Sequence, residues 1–141
     1  MSTQNGGFEP VEPKGWPRPA GYSNGMIVRP GGRLLFVAGQ IGWDTAGRFP
    51  ESFEGQLRQA LTNVLAVVEE AGGHASDIGS MTIYVTDKRE YLSDLRGVGA
   101  VWKETIGRHY PAMALVEVAA LVEDDAKIEI QAVACIGEGY E

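Results

Sequence analysis

Glu129 lies in the run Lys127-Ile128-Glu129-Ile130-Gln131-Ala132-Val133, where strand alternation sends its carboxylate to the face opposite Ile128 and Ile130. A carboxylate in a cleft can accept, hold and return a proton when its pKa lies near neutrality. The same alternation also suits a solvent-facing glutamate, or one paired with Arg or Lys across an interface. Gly39-Gln40 ends the apolar run from Leu34 to Ala38. The amides after Gly39 can supply hydrogen-bond donors, and Gln40 can bind a carbonyl or carboxylate. A turn after a strand explains the glycine but not the glutamine. Arg108-His109-Tyr110 precedes Pro111-Ala112 and offers cations, with a polar loop after a helix as the plainer reading. Cys135 is the single thiol, so no internal disulfide can form, and its apolar surroundings point to a buried, inert group. Neither His74 nor His109 stands in a metal-ligand spacing, so neither a metal site nor a cofactor is expected.

These residues need elements to position them. Residues 1–21 are rich in Gly and Pro and read as an irregular arm whose later part, with Trp16, packs on the body. Residues 22–141 read as one domain. Met26 to Val28 and Leu34 to Ala38 are strands flanking the turn signal Pro30-Gly31-Gly32, and are expected to form a hairpin. Phe53 to Ala71 is the clearest helix. Leu57, Leu61, Val64, Leu65 and Val68 form its apolar stripe, Ser52 can cap its start, and Gly72-Gly73 can stop it. Ile78 to Val85 alternates as a half-buried strand. A second helix is expected over Tyr91 to Ile106, with Gly97 and Gly99 allowing close packing against the sheet. Ala112 to Ala119 and Lys127 to Ile136 complete a ββαβαββ order. Two amphipathic helices on one face of a mixed sheet make a two-layer α+β sandwich. The other sheet face carries more apolar surface than two helices can cover, which points to a homo-oligomer.

The formal net charge of −7 works against a nucleic-acid partner. No run of about 18 apolar residues exists to span a membrane, and the first 19 residues lack the apolar core of a signal peptide. A cytoplasmic protein is the expectation.

The order of elements and several motifs resemble the Rid family (YjgF/YER057c/UK114-type proteins), small trimeric enamine and imine deaminases. The matching pieces are Tyr22-Ser23, Phe36 to Ile41 (FVAGQI), Gln59 to Gly73 (QALTNVLAVVEEAGG), Tyr84 to Asp87, Pro111-Ala112, Val116 to Val118 and Ile128 to Ile130. The resemblance implies a chorismate-mutase-like fold and a homotrimer with ligand clefts between neighbours, pairing of trimers into a hexamer staying open. It also implies that Glu129 activates the attacking water, and that Tyr22, Gly39 and Gln40 line the substrate site. Four features depart from the family pattern, one being that the asparagine often found in the second helix is not evident near Leu95 and Arg96. Met113 stands where the family arginine holds a substrate carboxylate, Ala38 replaces a common serine, and Leu115 replaces a frequent cysteine.

Hydrolysis of an imine or enamine needs a proton for the nitrogen and a base or orienting group for water. An arginine holds a carboxylate through two charge-assisted bonds, and removing such a partner costs about 2–5 kcal/mol. Met113 offers only soft apolar contact. A small-molecule carboxylate substrate would then need other cations, for which Arg96, Arg108 and His109 are the candidates. A larger, softer cleft suits a longer unsaturated substrate, and 2-aminomuconate of aromatic-compound catabolism fits that description within the family. The alternative is a ligand-binding or regulatory protein of the same fold that lost catalysis with the arginine. The endoribonuclease activity of older family descriptions is disfavoured by the acidic balance.

Overall fold

Residues 53–70 form the main helix because they bury one continuous stripe. The computed structural model describes residues 6–137. Helix α1 (Phe53–Glu70) starts where Ser52 Oγ accepts from the Gly55 N–H at 3.0 Å, and buries Phe53, Leu57, Ala60, Leu61, Val64 and Val68. It ends at Ala71, after which Gly72 adopts a φ of 89°, a conformation open to glycine.

Before α1 come strands β1 (Phe8–Val11), β2 (Gly25–Val28) and β3 (Gly32–Ile41). After it come β4 (Ile78–Val85), α2 (Lys88–Leu92), α3 (Leu95–Thr105), β5 (Ala112–Glu117) and β6 (Ile128–Gly137), with a short 3-10 turn at Ala75–Asp77. The main sheet runs β3-β6-β4-β5, with β4 and β5 parallel and the other pairs antiparallel. The helices cover the face presenting Val37, Met81, Ile83, Val85, Ile128, Ile130 and Ala132, and these side chains with α1's stripe form the core. The two-layer α+β sandwich with a mixed sheet is therefore as the patterning implies.

Four expectations change. Met26 to Val28 does not pair with β3; β2 pairs with β1, inside the stretch read as irregular. Pro30 has no N–H to offer a ladder, and Arg29 instead donates its backbone N–H to Gly7 O at 2.8 Å, extending the β1–β2 pairing. The second helix is broken into α2 and α3. Asp87 accepts from the Arg89 N–H at 3.0 Å, and Asp94 accepts from the Gly97 N–H at 2.9 Å, so each piece carries its own cap. Gly97 packs beneath Glu54 of α1 rather than against the sheet, and Gly99 faces open space. Trp16 is 61% exposed rather than packed on the body.

The β1–β2 unit still serves the sheet. Phe8 lies against Gly79, where a Cβ would strike its ring. Ser23 bridges to Ala112, donating its N–H to Pro111 O at 3.0 Å and its hydroxyl to Tyr110 O at 2.6 Å. That joint carries the preceding residue, Tyr22, to the edge of β5.

The face away from the helices is left bare. Leu34 and Phe36 on β3 and Val116 on β5 are 55%, 73% and 41% exposed.

Candidate functional site

Strand β6 runs between β3 and β4, and Glu129 stands near its start, in register with Tyr84 on β4 and Ile41 on β3. Its sequence neighbours Ile128 and Ile130 are buried against the helices, so Glu129 occupies the bare face. There it lines a depression of about 330 Å³ with Gly39, Tyr84, Val118, Ala120, Leu121 and Gln131. Strand β3 makes room for it. Between Val37–Ala132 and Gln40–Ile130, β3 advances three residues while β6 advances two, a bulge at Ala38-Gly39. The absent side chain of Gly39 is what admits the carboxylate, since a Cβ there would overlap Glu129 Oε2.

The ion pairs among the described residues engage other carboxylates: Glu9, Asp44, Asp87, Glu90 and Glu104. Glu129 is half-buried and has no ion-pair partner among the described residues. A free carboxylate beside a phenol and an amide can orient a water molecule and relay its proton. The Tyr84 hydroxyl points toward Gln131 Oε1 at 3.5 Å, so the polar groups of this depression face one another.

A second cavity, of about 400 Å³, opens on the opposite side of the sheet, between β5 and the helices. Met113 and Leu115 face into it from β5, where they stand in register with Met81 and Ile83. Tyr22, Tyr91, Leu95, Val98, Gly99, Trp102 and Tyr110 supply most of the remaining wall. Trp102 and Tyr110 stack at 6.3 Å between ring centroids with planes 12° apart. The indole N–H donates to His109 O at 3.1 Å, and His109 Nε2 donates to Ile78 O at 2.6 Å. The histidine thus ties the aromatic wall to the start of β4. The tyrosine hydroxyls and the Trp102 indole N–H are the cavity's polar side-chain groups.

The sequence-derived candidates therefore separate. Tyr22 and Met113 share the cavity, and Gly39 and Glu129 share the depression. Gln40 stands in register with Ile130 on the helix-covered side, and its Nε2 donates to Ala38 O at 3.0 Å. Arg96 and Arg108 are exposed and line neither space, and His109 is turned to Ile78. The sequence reading missed Tyr84 and Gln131 beside the carboxylate. Alternation along β4 and β6 assigns each to the correct face, but only the inter-strand register places them against Glu129. It also missed Trp102 and Tyr91 as cavity walls, because it treated them as one helical stripe for the core.

Among the described residues no group of three or more His, Cys, Asp or Glu side chains is gathered in a way that could hold a metal ion, and no helix is long and apolar enough to cross a membrane. Cys135 is 1% exposed. Burial, aided by the negative charge of Asp77, pushes its thiol pKa up, away from the reactive thiolate.

Comparison with known proteins agrees with this architecture. The family model described as endoribonuclease L-PSP matches residues 17–136. A 2-iminobutanoate/2-iminopropanoate deaminase of Salmonella typhimurium is 39% identical over 107 residues, covering 73% of this chain and 80% of its own. The crystal structure of a Rid family protein, YyfB of Yersinia pestis, superposes with a TM-score of 0.80 at 25% identity, over 92% of this chain and 99% of that one. The structure of Escherichia coli TdcF with bound serine gives a TM-score of 0.64 at 32% identity, covering 98% of both chains. The fold accordingly has known counterparts, and this chain is a member of the Rid (YjgF/YER057c/UK114) family, the endoribonuclease L-PSP family of that matching model.

Proposed function

We propose that this protein is a hydrolytic deaminase of an enamine or imine. Water adds to the carbon of the C=N bond, the C–N bond breaks, and the products are a carbonyl compound and ammonia. The observation that carries this reading is the unpaired carboxylate of Glu129, held in a depression that a glycine bulge keeps open. Glu129 takes a proton from the attacking water and returns it to the departing nitrogen. The Salmonella relative is named for the same class of reaction.

Within one chain, Glu129 and the cavity holding Met113 lie on opposite faces of the sheet. A single site using both needs a second copy. The exposed Leu34, Phe36 and Val116 supply the apolar surface for such an assembly. We propose a homotrimer in which the carboxylate of one subunit meets the cavity of the next. A cytoplasmic location fits a chain whose single cysteine is buried and unpaired. The net charge of −7 weighs against a polyphosphate substrate such as RNA.

The finer substrate reading is 2-aminomuconate, whose diene would lie against Met113. Its carboxylates call for cations, and Arg96 and Arg108 would have to reach it across a subunit boundary. Ammonia release by the purified protein, from freshly generated 2-aminomuconate and from 2-iminopropanoate, tests both levels. Turnover of either is expected to fall at least 100-fold in Glu129→Gln. Failure on 2-aminomuconate alone removes that substrate, and failure on every imine removes the enzyme.

Met113 favours a second reading, a family member that binds small carboxylic or oxo acids without turning them over. In that case the wild type releases no ammonia above background, and Glu129→Gln changes only ligand affinity.

A further inference from the structure

The cavity around Met113 has a composition of its own, and that composition speaks to the substrate. Its floor is a thioether and an aliphatic side chain, Met113 and Leu115, and its wall is aromatic, with Tyr91 and Trp102. Its volume of about 400 Å³ falls in the range of pockets that enclose a small organic molecule. The wall is braced, because Trp102 is hydrogen-bonded through His109 O and stacked on Tyr110. A braced apolar cavity binds an apolar group without first having to be ordered. It offers no cation, so a charged group placed there would lose water without gaining a counter-charge.

We infer that the substrate carries a bulky, uncharged apolar substituent, an aromatic ring being the best fit, which seats in this cavity while its C=N carbon is presented at the mouth. The inference rests on the deaminase reading for its chemistry and on the cavity alone for its selectivity. It separates from the 2-aminomuconate reading, which would place a second carboxylate among phenols. Gly99 marks the cavity's adjustable boundary. It lies on α3, lines the cavity, and has no atom within 4 Å of where its Cβ would stand. A larger side chain there fills the space without colliding with the backbone.

The test compares 2-imino acids generated in situ from phenylalanine and from alanine by an L-amino-acid oxidase, with ammonia release read against the uncatalysed background. The phenylalanine-derived imine is expected to show a kcat/KM about 10- to 100-fold above the alanine-derived one, the discrimination an apolar pocket supplies for a buried ring. Gly99→Leu should collapse that ratio toward one, chiefly through KM, and Gly99→Ala should keep it within about threefold. Met113→Arg should reverse the preference by giving the short substrate's carboxylate a partner. A wild-type ratio at or below one overturns the inference, as does a ratio that Gly99→Leu leaves unmoved or a preference for 2-aminomuconate over both imines. Calorimetric titration with phenylpyruvate and pyruvate covers the case in which no imine is hydrolysed. Tighter binding of phenylpyruvate by tenfold or more then upholds the cavity assignment although the deaminase reading has failed, and equal binding ends both.

Discussion

The carboxylate of Glu129 owes its position to an atom that is missing from Gly39. Adding a methyl group there, Gly39→Ala, would push the carboxylate out of the depression without touching the core. A drop of at least tenfold in kcat with an unchanged circular dichroism spectrum is the expected result, and a fully active Gly39→Ala enzyme would show the carboxylate to be idle. Alternation along β6 set Glu129 on the face opposite Ile128 and Ile130, and the strands that carry Glu129 and Met113 were legible in the sequence. Tyr84, Gln131 and Trp102 were not, because what makes them neighbours is strand register and a helix break, neither of which a periodicity reports. The cations fared differently from their promise on paper. Arg96 and Arg108 stand in solvent, and His109 spends its ring nitrogen on a backbone carbonyl.

Among the elements, α1 is fixed to its surroundings by one buried amide. Gln56 donates to Pro50 O and Asp125 O, both at 3.0 Å, and accepts from the Lys127 N–H at 2.8 Å. It therefore joins the loop before α1 to the start of β6, two residues ahead of Glu129. Gln56→Leu strands three backbone groups and should lower unfolding free energy by about 2–4 kcal/mol in urea titration. A loss below about 0.5 kcal/mol would mean that water replaces the amide. The apolar stripe of α1 announced the helix, whereas Gln56 gave no sign of its role, since its partners lie 6, 69 and 71 residues away. The break between α2 and α3 was readable in principle. Asp87 and Asp94 are ordinary cap residues, but the longer apolar stripe from Tyr91 to Ile106 concealed the second start. The hairpin expected around Pro30-Gly31-Gly32 failed because a turn signal says where the chain bends and not which strand it bends toward.

For the molecule as a whole, the bare sheet face decides the state of assembly. Phe36 is its most exposed large side chain, and Phe36→Glu would set a charge in the middle of any contact made there. Sedimentation velocity should find a trimer for the wild type and predominantly monomer for Phe36→Glu, with loss of deaminase turnover in parallel. A wild-type monomer that turns over imines would refute the shared site. The fold was legible at this scale because seven segments of alternating or striped pattern leave few ways to bury one face. What the opposite face meets depends on a second chain, about which a single sequence carries only the excess of apolar area. The bulge at Ala38-Gly39 sets a rule of parity for that face. Ahead of it Leu34 and Phe36 look outward and Val37 inward; beyond it the even-numbered Gln40 is the one aligned with buried Ile130. Excising one of the two bulged residues would straighten the ladder while leaving Val37 opposite Ala132 and Gln40 opposite Ile130, so Phe36 would stay outward and Val37 inward. A single-residue contraction at this point is therefore the one length change the strand can absorb with its sides intact, whereas the same deletion farther upstream would turn the residues ahead of it over.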